Sequence, residues 1–204
     1  MLKLYTHPQS RGRMARWMLE ETGAAYEVEL LDYRGTMKAP AYLAINPMGK
    51  VPALVHDGRV VTEVAAIIAY LAEAFPQAGL AGQDRAAFLR WMFFGAGPLE
   101  HAIVNRALGV EVAPERSGFV GYGSYDRTLD ALEQTLSARD WLAGSAFSAA
   151  DLYVGSQVGY GLQFGTLPAR PAFTAYWDRM KDRPARLRAA ATDDALLDKA
   201  KTHG

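Results

Sequence analysis

Apolar residues along this chain fall first in short dense runs and, past residue 84, at helical spacing. Leu2, Leu4 and Tyr5 make a compact apolar run that predicts a buried strand over residues 2–5. Ser10 stands where an N-cap belongs. Met14, Trp17, Met18 and Glu21 then recur at helical spacing, up to a glycine stop at Gly23. Strict alternation from Tyr26 to Leu31 predicts a second strand. A polar, glycine-containing loop over residues 32–38 leads to a short helical or irregular piece at residues 40–45. Two more strands flank the turn His56-Asp57-Gly58, a hairpin signal. Thr62 is expected to cap a third helix, with Ala65, Ile68, Leu71, Ala72 and Phe75 on its apolar face.

The predicted order is β-α-β-α-β-β-α over residues 1–76. Strands joined through a helix run parallel with a right-handed crossover, and the hairpin extends the sheet in antiparallel fashion. This is a thioredoxin-like topology. Residues 77–83, rich in Gly and Ala, read as a linker to an all-helical domain over residues 84–204. In that domain Phe88, Trp91 and Met92 precede Gly95-Ala96-Gly97-Pro98, where a helix is expected to kink or break. Leu129, Leu132 and Leu136 mark a second helix. Ser148 and Asp151 form a variant capping box before a third, and a helix carrying Phe173, Tyr176, Trp177 and Met180 is expected to stop near Pro184.

Charge and composition narrow the functions. Lys+Arg and Asp+Glu balance at 22 each, so no excess of positive charge points to nucleic acid or an anionic membrane. Of the Arg-rich stretch at residues 183–188, a solvated helix end is the expected reading. Half of the residues are hydrophobic, which excludes disorder. No apolar run is long enough to span a bilayer, and the start lacks the pattern of a signal peptide, so the cytosol is the expected compartment. Cysteine is absent, which removes disulfides, thiolate metal sites and a cysteine nucleophile; no metal is expected.

Three blocks carry a family resemblance. The run Asn46-Pro47-Met48-Gly49-Lys50-Val51-Pro52-Ala53-Leu54 resembles the N-P-x-G-x-V-P-x-L signature of glutathione transferases. The run from Thr62 to Leu71 resembles the E-S-x-A-I-x-x-Y-L block that follows it, and Phe147-Ser148-Ala149-Ala150-Asp151-Leu152 resembles the capping box of that family's helical domain. Order and spacing match over nearly the whole chain, as in a bacterial-type cytosolic member.

The resemblance implies a glutathione site. Pro52 would be the cis proline, leaving the Val51 backbone to pair with the cysteinyl part of glutathione like an added strand. Lys50 flanks that segment. Glu63, in the first turn of the third helix, would hold the γ-glutamyl ammonium beside helix N–H groups that attract its carboxylate. Val64 departs from the family, which usually has serine there with a hydroxyl on that carboxylate. Either Thr62 substitutes, or glutathione is held less tightly, or the ligand differs. Ser10 lies where the family puts its thiol-activating residue; a hydroxyl donor at a helix N-terminus lowers a thiol pKa. Thr6 and His7 are nearby substitutes, Tyr5 reads as a core strand residue, and Arg11 and Arg13 would add positive potential or simply be solvated. A hydrophobic pocket between the domains, with Phe93, Phe94, Leu99, Phe119 and Tyr122 as candidate walls, would take the electrophile.

The function so implied is a detoxifying glutathione transferase, with glutathione as co-substrate, a small hydrophobic electrophile as partner and a homodimeric assembly. A glutathione-dependent reductase or peroxidase, and a non-catalytic module on the same fold, are the alternatives.

Overall fold

The computed structural model describes residues 1–202, and side chains through Lys199; residues 203 and 204, at the end of the expected helical domain, lie outside the described residues. The chain divides into two compact units, one of residues 1–78 with 183–204 and the other of residues 79–182.

The first unit is built on a four-stranded sheet of order β2-β1-β3-β4, comprising β1 Leu2–Thr6, β2 Glu27–Leu30, β3 Ala53–His56 and β4 Arg59–Thr62. β1 pairs parallel with β2 and antiparallel with β3, and β3 pairs antiparallel with β4. The hairpin turns at Asp57 and Gly58, both at positive φ (49° and 79°), as a two-residue turn matched to strand twist requires. Helix α1 spans Gly12–Thr22, α2 Pro40–Leu43 and α3 Val64–Ala74. Gly23 ends α1 in the left-handed region at φ 68°. One face of the sheet is part of a core of Leu4, Leu54, Met18, Leu19, Ile67 and Ile68, all fully buried. Leu31, Met37, Tyr42 and Ala53 form another cluster, against which Tyr5, Ile45 and Val51 pack. Each fully buried Leu or Ile contributes about 1.5–3 kcal/mol.

Two expectations about helix ends change here. Thr62 does not cap α3: it closes β4 opposite Ala53, and Glu63 takes the N-cap position without a side-chain capping bond. The ladder claims Thr62, so the chain must turn within a single residue.

Pro184 does not end a helix but opens one, α9 at Pro184–Thr202, at the position where a missing N–H costs nothing. α9 belongs to the first unit rather than to the helical one, because its buried stripe of Ala185, Ala189 and Asp193 suits close packing on α1. Arg16 and Asp193 meet at 3.0 Å with almost no exposure, leaving one guanidinium nitrogen and one carboxylate oxygen unpartnered among the described residues. Burial pushes the Asp193 carboxyl up against the pull of Arg16. Arg183 grips Glu21 at 2.7 and 2.8 Å, and Arg188 reaches Glu20 at 3.0 Å. Those two arginines of the Arg-rich stretch are therefore ion-paired rather than merely solvated.

The second unit is helical: α4 Arg85–Phe94, α5 Glu100–Ala107, α6 Tyr125–Ala138, α7 Ala149–Phe164 and α8 Pro171–Asp178. The glycine-proline interruption does not break the chain's path. Gly95–Leu99 forms a π-helical turn that joins α4 to α5, a wider turn in which the missing Pro98 N–H is tolerated. The buried Gln157 side chain donates to the Gly95 carbonyl at 3.0 Å and pins that turn to α7. The capping box is present, and Asp151 does more than cap. It accepts from the Ser148 N–H (2.9 Å) and hydroxyl (2.7 Å), from the Leu142 N–H (2.8 Å) and from the Tyr176 hydroxyl (2.9 Å).

Candidate active site

Strand register decides what meets at one end of the sheet. Ala53 lies opposite Tyr5 of β1 and opposite Thr62 of β4. The exit of β1 into the turn at residues 7–10, the Val51-Pro52 entry to β3, and the step from Thr62 to Glu63 therefore share that end. Residues distant in sequence are brought together by hydrogen-bonded pairing, a rigid support for a site.

The turn after β1 holds Ser10. Ser10 is not itself the N-cap of α1, since Arg11 takes that position in helical conformation, but from one residue earlier its hydroxyl donates to the His7 carbonyl at 2.6 Å and accepts from the Gly12 N–H at 3.0 Å, so it still satisfies one of the free donors opening α1. Gly12 must lack a side chain, since a Cβ there would lie 1.9 Å from the Thr6 hydroxyl and 2.9 Å from that of Ser10. Thr6 is wholly buried, so its hydroxyl offers no surface to a ligand, whereas Ser10 is part-exposed. The His7 Nδ1 accepts from the Gln9 N–H at 3.0 Å, which leaves the proton of the neutral ring on Nε2. Burial lowers the His7 pKa and keeps the ring neutral; the Asp32 charge opposes this weakly. Tyr33 packs its ring on His7 at 4.5 Å and donates to the Gln9 carbonyl at 2.7 Å. Tyr5 packs against Tyr42, centroids 5.6 Å apart, consistent with its place in the strand.

The Val51-Pro52 bond is cis. The Val51 backbone makes no hydrogen bond among the described residues, while the Lys50 carbonyl just before it is held by Tyr42 Oη (2.6 Å) and Asn46 Nδ2 (2.8 Å). Lys50 itself is exposed. Lys38 donates to the Gly49 carbonyl at 2.6 Å and brings an ammonium to the same loop.

Glu63 is exposed and its carboxylate has no partner among the described residues. Its backbone sits at φ 65° and ψ 118°, an uncommon region for a residue with a Cβ. Such strain costs on the order of 1–3 kcal/mol and clusters at functional sites. It opens α3 with its first N–H groups uncapped by the Glu63 side chain. Val64, next in line, is 8% exposed and belongs to the core.

The candidate pocket residues all belong to the helical unit. Phe94, half-buried, sets its ring edge-on to Trp91 at 5.0 Å and 72°. Phe93 is exposed, and Phe119 is 90% exposed. Tyr122 accepts from Asn105 Nδ2 at 3.0 Å. Leu99 is fully buried, so it serves the core rather than a wall. Among the described residues no group of three or more His, Asp or Glu is placed to hold a metal, and no helix is long and apolar enough to cross a membrane.

The sequence reading missed Tyr33, Lys38 and the work of Arg13, whose Nε donates to the Pro8 carbonyl at 2.7 Å. Tyr33 and Lys38 lie in a polar loop without periodicity, so nothing local marks them. Arg13 had a signal, its place one turn after Ser10, but while one partner, Pro8, lies in the same turn, the other, Asp194, comes from the far end of the chain.

Comparison with known proteins shows the family. Residues 10–74 match the glutathione S-transferase N-terminal domain model and residues 123–184 the C-terminal domain model. A glutathione S-transferase of Xanthomonas campestris is 31% identical over 190 residues, covering 88% of this chain and 92% of the relative. A maleylacetoacetate isomerase of Pseudomonas aeruginosa is 33% identical over 202 residues, covering 90% and 93%. A sphingomonad glutathione S-transferase solved in complex with glutathione superposes with a TM-score of 0.76 at 32% identity, covering 94% of this chain and 98% of that one. Sheet topology, cis-proline segment, capping box and relatives agree, and the chain belongs to the glutathione S-transferase family of transferase enzymes.

Proposed function

We propose that this chain binds glutathione at the end of the sheet where Ser10, Val51 and Glu63 converge, and activates its thiol for attack on a small hydrophobic electrophile. The observation that carries this reading is the register of Ala53 with both Tyr5 and Thr62. It brings to that end a hydroxyl at a helix start, an extended segment and a carboxylate that are both unpaired among the described residues. Each matches one part of the tripeptide.

The free Val51 N–H and C=O take the cysteinyl backbone as an added strand, which directs the sulfur toward the turn bearing Ser10. Ser10 then turns its single hydroxyl proton from the His7 carbonyl to the sulfur while still accepting from Gly12. A thiolate outcompetes a neutral carbonyl for that proton because charge-assisted bonds are stronger. The α1 N-terminus adds positive potential. A free thiol ionises near pH 8.5, so both effects raise the thiolate fraction at neutral pH. Glu63 holds the γ-glutamyl ammonium, the uncapped α3 N–H groups take the adjoining carboxylate, and Lys50 supplies a cation at the segment's edge. Cytosolic detoxification is the role this implies. With no protein thiol, a route through a mixed disulfide with the enzyme is closed.

Glu63→Gln tests the binding half. The ammonium is remote from sulfur, so its contact is common to ground and transition states. Loss of a charge-assisted bond is expected to raise the glutathione Kd roughly tenfold to hundredfold with a milder change in kcat. Equal affinity by titration calorimetry would remove Glu63 from the site.

Val64→Ser restores the hydroxyl usual in the family. Affinity should improve by up to about tenfold, and the gain should vanish with an analogue lacking the γ-glutamyl carboxylate. Because Val64 is buried, a stability loss of about 1–2 kcal/mol should accompany it. A gain that survives removal of that carboxylate would contradict the pose.

The assembly we propose is a homodimer, the commonest closed symmetry. Leu89 and Phe93, one turn apart on α4, are both exposed and supply apolar surface for it. Light scattering should give a mass near twice the chain's 22.3 kDa.

A further inference from the structure

Arg13 links the Ser10 turn to the last helix. Its Nε donates to the carbonyl of Pro8 at 2.7 Å, and a terminal guanidinium nitrogen donates to the Asp194 carboxylate on α9. Pro8 is buried in the middle of the turn, one residue after the His7 carbonyl that receives the Ser10 hydroxyl. Pro8, whose ring fixes φ, lies between the two carbonyls, so holding its own carbonyl restricts the direction of the His7 carbonyl, and with it where Ser10 Oγ points. α9 is in turn anchored to α1 by Arg16–Asp193 and Glu20–Arg188, and Arg183, just before α9, is held to α1 by Glu21. The rigid guanidinium fork can donate in two directions at once, which a lysine ammonium on a flexible stem does poorly.

We infer that Arg13 is a positioning residue, which with Asp194 of α9 holds the Pro8 carbonyl so that Ser10 faces the glutathione thiol. This rests on the assignment of Ser10 to the sulfur. The competing role for Arg13 is direct attraction of the thiolate by its charge. The two differ in sign at Asp194. Removing an anion beside Arg13 favours a thiolate electrostatically, whereas losing the bridge loosens the turn and disfavours it.

The test is the ultraviolet titration of bound glutathione thiol, with kcat and Kd, in the full chain and its Arg13→Ala, Arg13→Lys and Asp194→Ala variants. Each is also made in a Ser10→Ala background, and circular dichroism checks folding. Positioning predicts that Arg13→Ala lowers kcat about tenfold and that the exposed Asp194→Ala lowers it about twofold to fivefold. Both should move the thiol titration to higher pH and leave Kd nearly unchanged. Arg13→Lys should resemble Arg13→Ala, and none of the three should add an effect once Ser10 is alanine. Titration moved to lower pH in Asp194→Ala, wild-type behaviour of Arg13→Lys, or an Arg13→Ala effect that persists without Ser10 would overturn the inference. Unchanged titration in the Arg13 and Asp194 variants beside a displaced one in Ser10→Ala would overturn it alone. No displacement in Ser10→Ala would overturn the Ser10 assignment, and the positioning role with it.

Discussion

Ser10→Ala is expected to lower the rate of glutathione transfer by about tenfold to hundredfold while changing the glutathione Kd only a few-fold. The hydroxyl contacts sulfur in its reactive, charged form, so its loss is felt in the transition state more than in binding of the tripeptide body. A hydrogen bond to a charged group is worth about 1.5–3 kcal/mol, which sets that range. The same hydroxyl accepts from the Gly12 N–H at 3.0 Å, so the variant should also lose about 1 kcal/mol of stability as a capping effect. Ser10→Thr keeps a hydroxyl and should recover most of the rate. A Ser10→Ala protein that loses stability but keeps its rate and thiol titration would show Ser10 to be a cap alone. His7, with its half-exposed ring, would then be the next donor to test, since the Thr6 hydroxyl is wholly buried.

Asp151→Ala should have the largest effect on the fold. Four donors converge on this carboxylate: two backbone N–H groups, of Leu142 and Ser148, and the hydroxyls of Ser148 and Tyr176. All would be left without that acceptor at a site closed to water, and each buried unsatisfied donor costs about 1–3 kcal/mol. With partial relaxation a loss of about 3–5 kcal/mol is expected, a fall in melting temperature on the order of 10 °C for a chain of this size. Burial, the larger influence, holds the Asp151 carboxyl above its ordinary pKa although its hydrogen bonds pull it down. A folded pKa above the unfolded one means that the folded protein binds the extra proton. The titration's contribution to stability is therefore full below the unfolded carboxyl value, and it declines as pH rises through the folded one. The stability difference between the parent and Asp151→Asn should shrink over that rise. An Asp151→Ala protein melting within a degree or two of the parent would refute the role given to this hub.

The first unit's sheet was legible because its signals are local and agree: short apolar runs, an Asp-Gly turn, and a glycine stop at Gly23. The capping box was legible for the same reason, as Ser148 and Asp151 sit three residues apart with a geometry that leaves little choice. α9 was misread because its contacts are not local. Ala185, Ala189 and Asp193 make a stripe of two small side chains and one acid, which carries no apolar periodicity. Only its partner α1, with Arg16, Glu20 and Glu21, explains the pattern. Pro184 looked like a stop, yet proline opens helices as readily as it follows them. Thr62 illustrates a different limit: strand pairing with Ala53 took a residue whose local chemistry suited a cap. Of the proposed site, Ser10, Val51 and Glu63 were each chosen from the family resemblance. Their meeting at one sheet end is a matter of register, fixed by the hydrogen-bonded ladder rather than by sequence distance.

The measurement that bears most directly on the central claim is the ultraviolet titration of glutathione bound to the unaltered protein. Thiolate absorption separates binding from activation, and it needs no knowledge of the electrophile. Thiol activation at Ser10 requires saturable binding and a bound thiol ionising at least about one pH unit below the roughly 8.5 of a free thiol. Glutathione that does not bind, or that binds with its thiol still ionising at the free value, would contradict it.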